Sequence, residues 1–234
     1  GLQSEDGNAG VVDGRGNSVD GTTGLPADQT RNNDADKNAA ASAGNFAERT
    51  AARLVLQKEA NARGIPVKLM DRDNISESVP FLFPEQQDDV FKAEKRFYGE
   101  NPGKGMMFTN GTGTGKTFTG LGIAKRMVDR GKRNILIVTP SQEKVNDWAN
   151  DGKNLGLNIV PIENTKDGGK EQAVTTFATF RQNEELLKRD WDMIIYDESH
   201  RIMESNKGES SNTTYLHYEM SNKNADAAFS RITS

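Results

Sequence analysis

From residue 85 onward the chain switches repeatedly between two hydrophobic periods. Short apolar or β-branched runs at 105–109, 134–139, 157–162, 173–177 and 192–197 predict strands. Segments between them, with apolar positions three and four apart, predict helices over 85–98, 118–130, 141–150 and 181–189. In 85–98 the positions in play are Val90, Phe91, Ala93, Glu94 and Phe97. In 118–130 they are Leu121, Ile123, Ala124, Met127 and Val128, with Gly131 as the stop. Trp191-Asp192-Met193-Ile194-Ile195-Tyr196 is nearly continuous in apolar character, as in a strand buried on both faces. Strands alternating with helices predict an α/β fold with a parallel sheet and right-handed crossovers. Upstream, 45–63 reads as a helix halted by Gly64-Ile65-Pro66, either solvated or packed, Val67–Met70 as a short strand and Pro80–Pro84 as an apolar turn. Residues 163–170 read as a polar loop, and 225–232 as a short helix leading to a further strand.

The apolar pattern is absent from the first 45 residues, which contain no Phe, Trp or Tyr and are rich in Gly, Asn, Asp and Ala. Such a segment buries too little apolar surface to offset chain entropy and is expected to be a disordered or linker arm. The expected organisation is an arm over 1–45, a linker helix over 46–69 and one nucleotide-binding domain over 70–234.

Two segments carry chemistry. Residues 110–117 read Asn-Gly-Thr-Gly-Thr-Gly-Lys-Thr, between the strand at 105–109 and the helix at 118–130. A loop that wraps backbone N–H groups around phosphate oxygens needs residues without obstructing side chains. Gly111, Gly113 and Gly115, interleaved with Thr112 and Thr114, meet that need. Lys116 can reach the outer phosphates, Thr117 can place its hydroxyl on Mg²⁺, and the helix start adds a positive dipole end. The strict pattern wants glycine where Asn110 stands. The second segment is Asp197-Glu198-Ser199-His200, where the last strand should leave the sheet. In open α/β sheets ligands bind at the carboxyl ends of strands. Asp197 there can face a bound Mg²⁺, and Glu198 can orient and deprotonate the attacking water.

These motifs resemble those of the first RecA-like domain of a superfamily 2 helicase or DNA translocase of the DEAD/DEAH-box kind, in which the missing loop glycine is common. Asp197 to His200 is similar to that family's motif II. Asn134 to Ser141 resembles motif Ia, Ala173 to Phe180 resembles the strand carrying motif Ib, and Phe83 to Val90 resembles the upstream glutamine motif, with Gln86 at the glutamine position. The combination is most similar to large phage and plasmid helicases of the strawberry-notch or anti-restriction type. The resemblance implies a RecA-like P-loop fold, ATP and Mg²⁺ as cofactors, and adenine recognition by Gln86. It implies nucleotide-linked coupling through His200 to a second RecA-like domain downstream, and nucleic acid, DNA favoured over RNA, as partner through Thr139, Ser141 and Thr176. An ordinary cap or turn hydroxyl is an equal alternative for each of those three. Trp148, on the helix after motif Ia, reads as a core aromatic.

Charge and composition narrow the alternatives. The first 45 residues hold seven acids and three bases, which is the chain's whole net charge of −4, and the remainder balances at 27 against 27. A basic footprint for nucleic acid is therefore missing, and that partner rests on the resemblance. With no cysteine and two histidines, disulfides, thiol nucleophiles and Cys- or His-based metal clusters are excluded. No run is long enough for a membrane span, and a cytoplasmic setting in the host cell is expected. The leading reading is an ATP-hydrolysing helicase or translocase lobe. Alternatives are a motor subunit of a restriction or anti-restriction system, and a nucleotide-responsive interaction module, against which the intact Glu198 argues.

Overall fold

The computed structural model describes residues 27–108, 115–198 and 228–232, the side chains of 27–44, 187 and 228–232 excepted. Internal contacts divide the chain into residues 1–51 and 52–234. In the second unit, six parallel strands form one sheet in the order β1-β6-β5-β2-β4-β3. They are β1 (Gly105–Phe108), β2 (Ile135–Thr139), β3 (Val160–Pro161), β4 (Gln172–Thr176), β5 (Met193–Asp197) and β6 (Ala228–Ile232).

Strand periodicity explains the core. Along β2, Ile135 and Ile137 face one side of the sheet and Leu136 and Val138 the other, and all are buried. The first side meets helices α3 (Pro84–Tyr98), α4 (Lys116–Asp129) and α5 (Gln142–Asn154), with Leu121, Ala124, Val145 and Trp148 in the same cluster. The second side meets Phe177, Phe180, Leu186 and Trp191 from the short helices α6 (Phe177–Phe180) and α7 (Glu184–Lys188) and the turn after them. Both faces are covered, so the central strands are apolar from Ile135 to Val138 in β2 and from Met193 to Tyr196 in β5.

Helix α3 grips α4 at three levels. At the start of α4, the Gln86 Nε2–H donates to the Gly115 carbonyl at 3.1 Å. Midway, a Cβ on Gly122 would overlap Leu82, in the turn before α3, and press Val90 on α3, so glycine permits the close approach of that segment to α4. At the far end, the Arg126 guanidinium meets Glu94 at 2.5 Å. Arg126 also donates to Asn74 Oδ1 at 2.9 Å, Ser78 Oγ at 2.7 Å and the Lys68 carbonyl at 2.9 Å, joining α2 (Arg72–Ser78) to the pair.

Several elements differ from expectation. The helix expected over 45–63 begins at Ala27, giving α1 (Ala27–Arg63); Ala39, Ala40, Ala41 and Ala43 are strong helix formers. Within the second unit its end is packed. Gln57 is fully buried and bonds the Ser78 carbonyl and the Phe81 N–H, and Asn61 donates to the Leu155 carbonyl. Val67–Met70 is not a strand but a turn leading into α2, whose N-cap Asp71 accepts from the Asn74 N–H. The helix expected over 181–189 is the shorter α7, capped by Asn183, while α6 is a separate turn capped by Thr176. Of the stretch 225–232, expected as a short helix leading to a further strand, 228–232 form strand β6, paired on both sides by β1 and β5, and 225–227 lie outside the described residues. Among the described residues, no helix is long and apolar enough to cross a membrane.

Candidate functional site

The carboxyl ends of β1 and β5 open on the same edge of the parallel sheet. The chain leaves β1 at Phe108 and re-enters as α4 at Lys116. Gly111, Thr112, Gly113 and Thr114 lie outside the described residues, and so does His200. Gly115 caps α4 in a left-handed conformation, φ +71° and ψ +34°. A side chain there would be strained, and its Cβ would collide with the Gln86 amide. Two independent constraints thus demand glycine at the loop exit.

Gln86 is buried and held at both ends of its amide. Its Oε1 accepts from the Phe83 N–H at 2.8 Å, the side-chain half of a capping box on α3, and its Nε2 donates to Gly115. The geometry makes Gln86 a brace between the start of α3 and the exit of the Gly-rich loop at Gly115. Pro84 at the first position of α3 sets that start.

Lys116 and Thr117 lie on the first turn of α4, both half-buried. The Lys116 ammonium is itself buried and has no hydrogen-bond partner among the described residues. An orphaned buried cation at a helix N-terminus is costly unless an anion joins it. Such a group fits phosphate.

Asp197 ends β5, half-buried, and Glu198 follows with φ +57°, a left-handed backbone that non-glycine residues seldom adopt. Strain of this kind collects at functional sites and is held by the surrounding structure. Burial pushes the Asp197 carboxyl above its usual range; the Trp148 N–H bond opposes this, Glu198 adds to it, and the charges of Lys144 and Lys116 oppose it. The indole Nε1–H of Trp148, on α5, donates to Asp197 Oδ2 at 3.0 Å. A desolvated carboxylate beside a second acid calls for a cation, and the Lys116 ammonium, with no hydrogen-bond partner among the described residues, calls for an anion, so a metal–phosphate pair suits both. Among the described residues no three His, Cys, Asp or Glu side chains gather around one point. Magnesium in phosphate sites is normally held by one or two protein ligands plus the substrate, which this arrangement suits.

The hydroxyls read as nucleic-acid contacts have local duties. Thr139 is fully buried, and its Oγ1 donates to the Ser141 carbonyl at 3.2 Å, so it supports the turn rather than facing a ligand. The strand register places Thr139 beside Thr176, at the carboxyl ends of the neighbouring strands β2 and β4. Ser141 is exposed and accepts from the Lys144 N–H as the cap of α5. Thr176 is half-buried and accepts from the Thr179 N–H as the cap of α6. Trp148 is both the core aromatic expected and a direct partner of Asp197. Nothing in the sequence pattern signals the second role, because it depends on α5 crossing the end of β5.

The family model described as Type III restriction enzyme, res subunit, matches residues 80–228, more than half of the chain. Among solved structures, the SWI2/SNF2 ATPase core of Sulfolobus solfataricus in complex with dsDNA is similar with a TM-score of 0.52, 17% identity and 64% of this chain covered. T4 UvsW is similar with a TM-score of 0.52, 16% identity and 73% of this chain covered. The matched region spans 31% and 36% of those two chains. At these identities the likeness concerns the fold. No curated protein matches by sequence.

Proposed function

Because the chain belongs to the family of the Type III restriction enzyme res subunit, over residues 80–228, we propose that it is the ATP-binding and ATP-hydrolysing lobe of a superfamily 2 helicase or translocase. The observation that carries this reading is a buried Lys116 ammonium, without a hydrogen-bond partner among the described residues, whose charge acts on the desolvated Asp197 carboxylate at the carboxyl end of β5. Lys116, the glycine loop 111–115 and the start of α4 hold the phosphates. Thr117 and Asp197 hold Mg²⁺, which when bound neutralises charge on the phosphate oxygens. Glu198 orients the attacking water and takes its proton. Gln86 sets the loop exit, and its remaining N–H is the group that can address an adenine edge. His200 couples this site to a second RecA-like lobe, whose arginines complete charge compensation. That the matched region spans about a third of the neighbouring chains supports a larger motor of two lobes.

DNA is the nucleic acid this reading favours, since the archaeal neighbour is a complex with dsDNA. Ser141 and Thr176 are the hydroxyls with solvent access for a phosphate backbone, with Thr139 supporting the turn beneath Ser141. The family's description favours a restriction motor as the biological setting over the other systems with these motifs. Titrating Mg-ADP into the chain by calorimetry tests the core of the proposal. Lys116→Ala should abolish measurable binding while circular dichroism is unchanged. Equal affinity in variant and parent would refute it.

A further inference from the structure

The two tryptophans of the chain solve the same problem differently. A buried indole N–H must find an acceptor. Trp191 uses the ordinary solution, donating to the Leu186 carbonyl at 2.8 Å. Trp148 is fully buried in the cluster between the sheet and helices α3, α4 and α5, yet its N–H goes to a carboxylate, Asp197 Oδ2. A carboxylate that is half-buried and followed by a second acid is an expensive acceptor unless its placement matters. The carboxylate also needs restraint: it closes β5 immediately before the left-handed turn at Glu198, where the backbone offers no regular ladder.

We infer that Trp148 is a positioning residue for the metal site: its indole N–H fixes one oxygen of Asp197, and so the direction in which the carboxylate meets Mg²⁺. The indole is locked by its packing. Val145 and Ala149 flank it on α5, and both are buried. The carboxylate is therefore tied to the packed core and not only to its own strand end. A charge-assisted bond of this kind is among the stronger ones, and its acceptor is the group proposed to bind the metal. The inference rests on the nucleotide-site reading above and adds a residue to it.

The experiment separates the two. ADP binding is measured by calorimetry with and without Mg²⁺, for the chain, for Lys116→Ala and for Trp148→Phe. Trp148→Phe keeps an aromatic ring in the core and removes the donor. It should leave metal-free ADP affinity within about twofold and erase about tenfold of the gain that Mg²⁺ confers. Lys116→Ala should lose binding with or without metal. Retention of the full Mg²⁺ gain by Trp148→Phe overturns the positioning role, and a parent with no Mg²⁺ gain overturns it too. Binding untouched by Lys116→Ala overturns the underlying site instead. A second measurement covers a Trp148→Phe chain that fails to fold. In the otherwise unaltered chain labelled with 5-fluorotryptophan, the ¹⁹F line of Trp148 should shift on adding Mg-ADP and not ADP alone, while the Trp191 line stays. A static Trp148 line in the presence of bound Mg-ADP overturns the inference.

Discussion

Replacing Arg126 by methionine probes the far end of the helix that begins at Lys116. The Arg126 side chain is 1% exposed and its partner Glu94 5% exposed. In the parent, the guanidinium meets both Glu94 oxygens, at 2.5 and 3.3 Å, and satisfies Asn74 Oδ1, Ser78 Oγ and the Lys68 carbonyl besides. Methionine fills similar space but leaves the Glu94 carboxylate with the Met70 N–H, at 2.7 Å, as its remaining partner from this network. Breaking one side of a buried pair typically costs about 3–5 kcal/mol, because the surviving charge is stranded. With a urea slope of about 2 kcal/mol/M, the midpoint should fall by roughly 1.5–2.5 M. Adding Glu94→Gln removes the stranded charge and keeps an acceptor for the Met70 N–H, so the double variant should regain at least half of the loss. The assay is urea unfolding followed by circular dichroism at neutral pH for parent, single and double variants. A single variant within about 0.5 M of the parent would show that the pair does not hold α4. So would a double variant no better than the single.

Two further perturbations address the site and its support. Glu198→Gln, in a protein extended through a second lobe, should bind ATP with parental affinity and release phosphate at least ~100-fold more slowly, as loss of a general base predicts; turnover near the parental rate would move the base elsewhere. Asp151 on α5 has its carboxyl pushed above the usual range by burial and by the neighbouring charge of Asp147, against Lys144. A raised folded value favours the protonated form, so this group weakens the fold above its folded pKa and not below its unfolded one. Asp151→Asn should therefore raise the melting temperature by about 2 °C at pH 7, with the gain fading as pH falls through the carboxylate range; an equal gain at all pH values would point to packing instead.

The central strands were legible because both faces of the sheet are covered, which leaves β2 and β5 apolar at every position through Val138 and Tyr196. The Gly-rich stretch and the Asp-Glu pair stood out because their residue types sit next to strand ends, and the structure places Gly115 to Thr117 at the start of α4 and Asp197 and Glu198 at the end of β5. Elements whose residues do not show their burial in their chemistry were missed. Helix α2 has Ile75 as its one apolar residue, and its other buried side chains, Asn74 and Ser78, are polar groups satisfied by Arg126. Strand β6 begins at Ala228, in an alanine-rich stretch whose composition favours helix, and is a strand by filling the place between β1 and β5. For Thr139 the sequence left a ligand hydroxyl and a turn hydroxyl equally open, because it does not show that the oxygen turns inward.

The same contrast explains how a site can be built on a helix whose own sequence says little about its anchoring. Gln86, Val90 and Glu94 are spaced four apart on α3 and so share one face. They meet Gly115, Gly122 and Arg126 along α4: an amide on the loop exit, a side chain over a glycine, and an ion pair at the end. An apolar interface alone would allow α4 to slide or rotate at small cost, since apolar contacts are non-directional. The two polar contacts at its ends fix rotation and register, because each has one productive geometry. Rotation of α4 by one residue would swing Lys116 through about 100° and away from the edge where Asp197 stands. The buried polar network around Arg126 therefore bears on the proposed nucleotide site as well as on stability. On this argument Arg126→Met/Glu94→Gln, though refolded, should bind Mg-ADP more weakly than its recovered stability suggests, and parental affinity in that variant would show that apolar packing alone sets the helix.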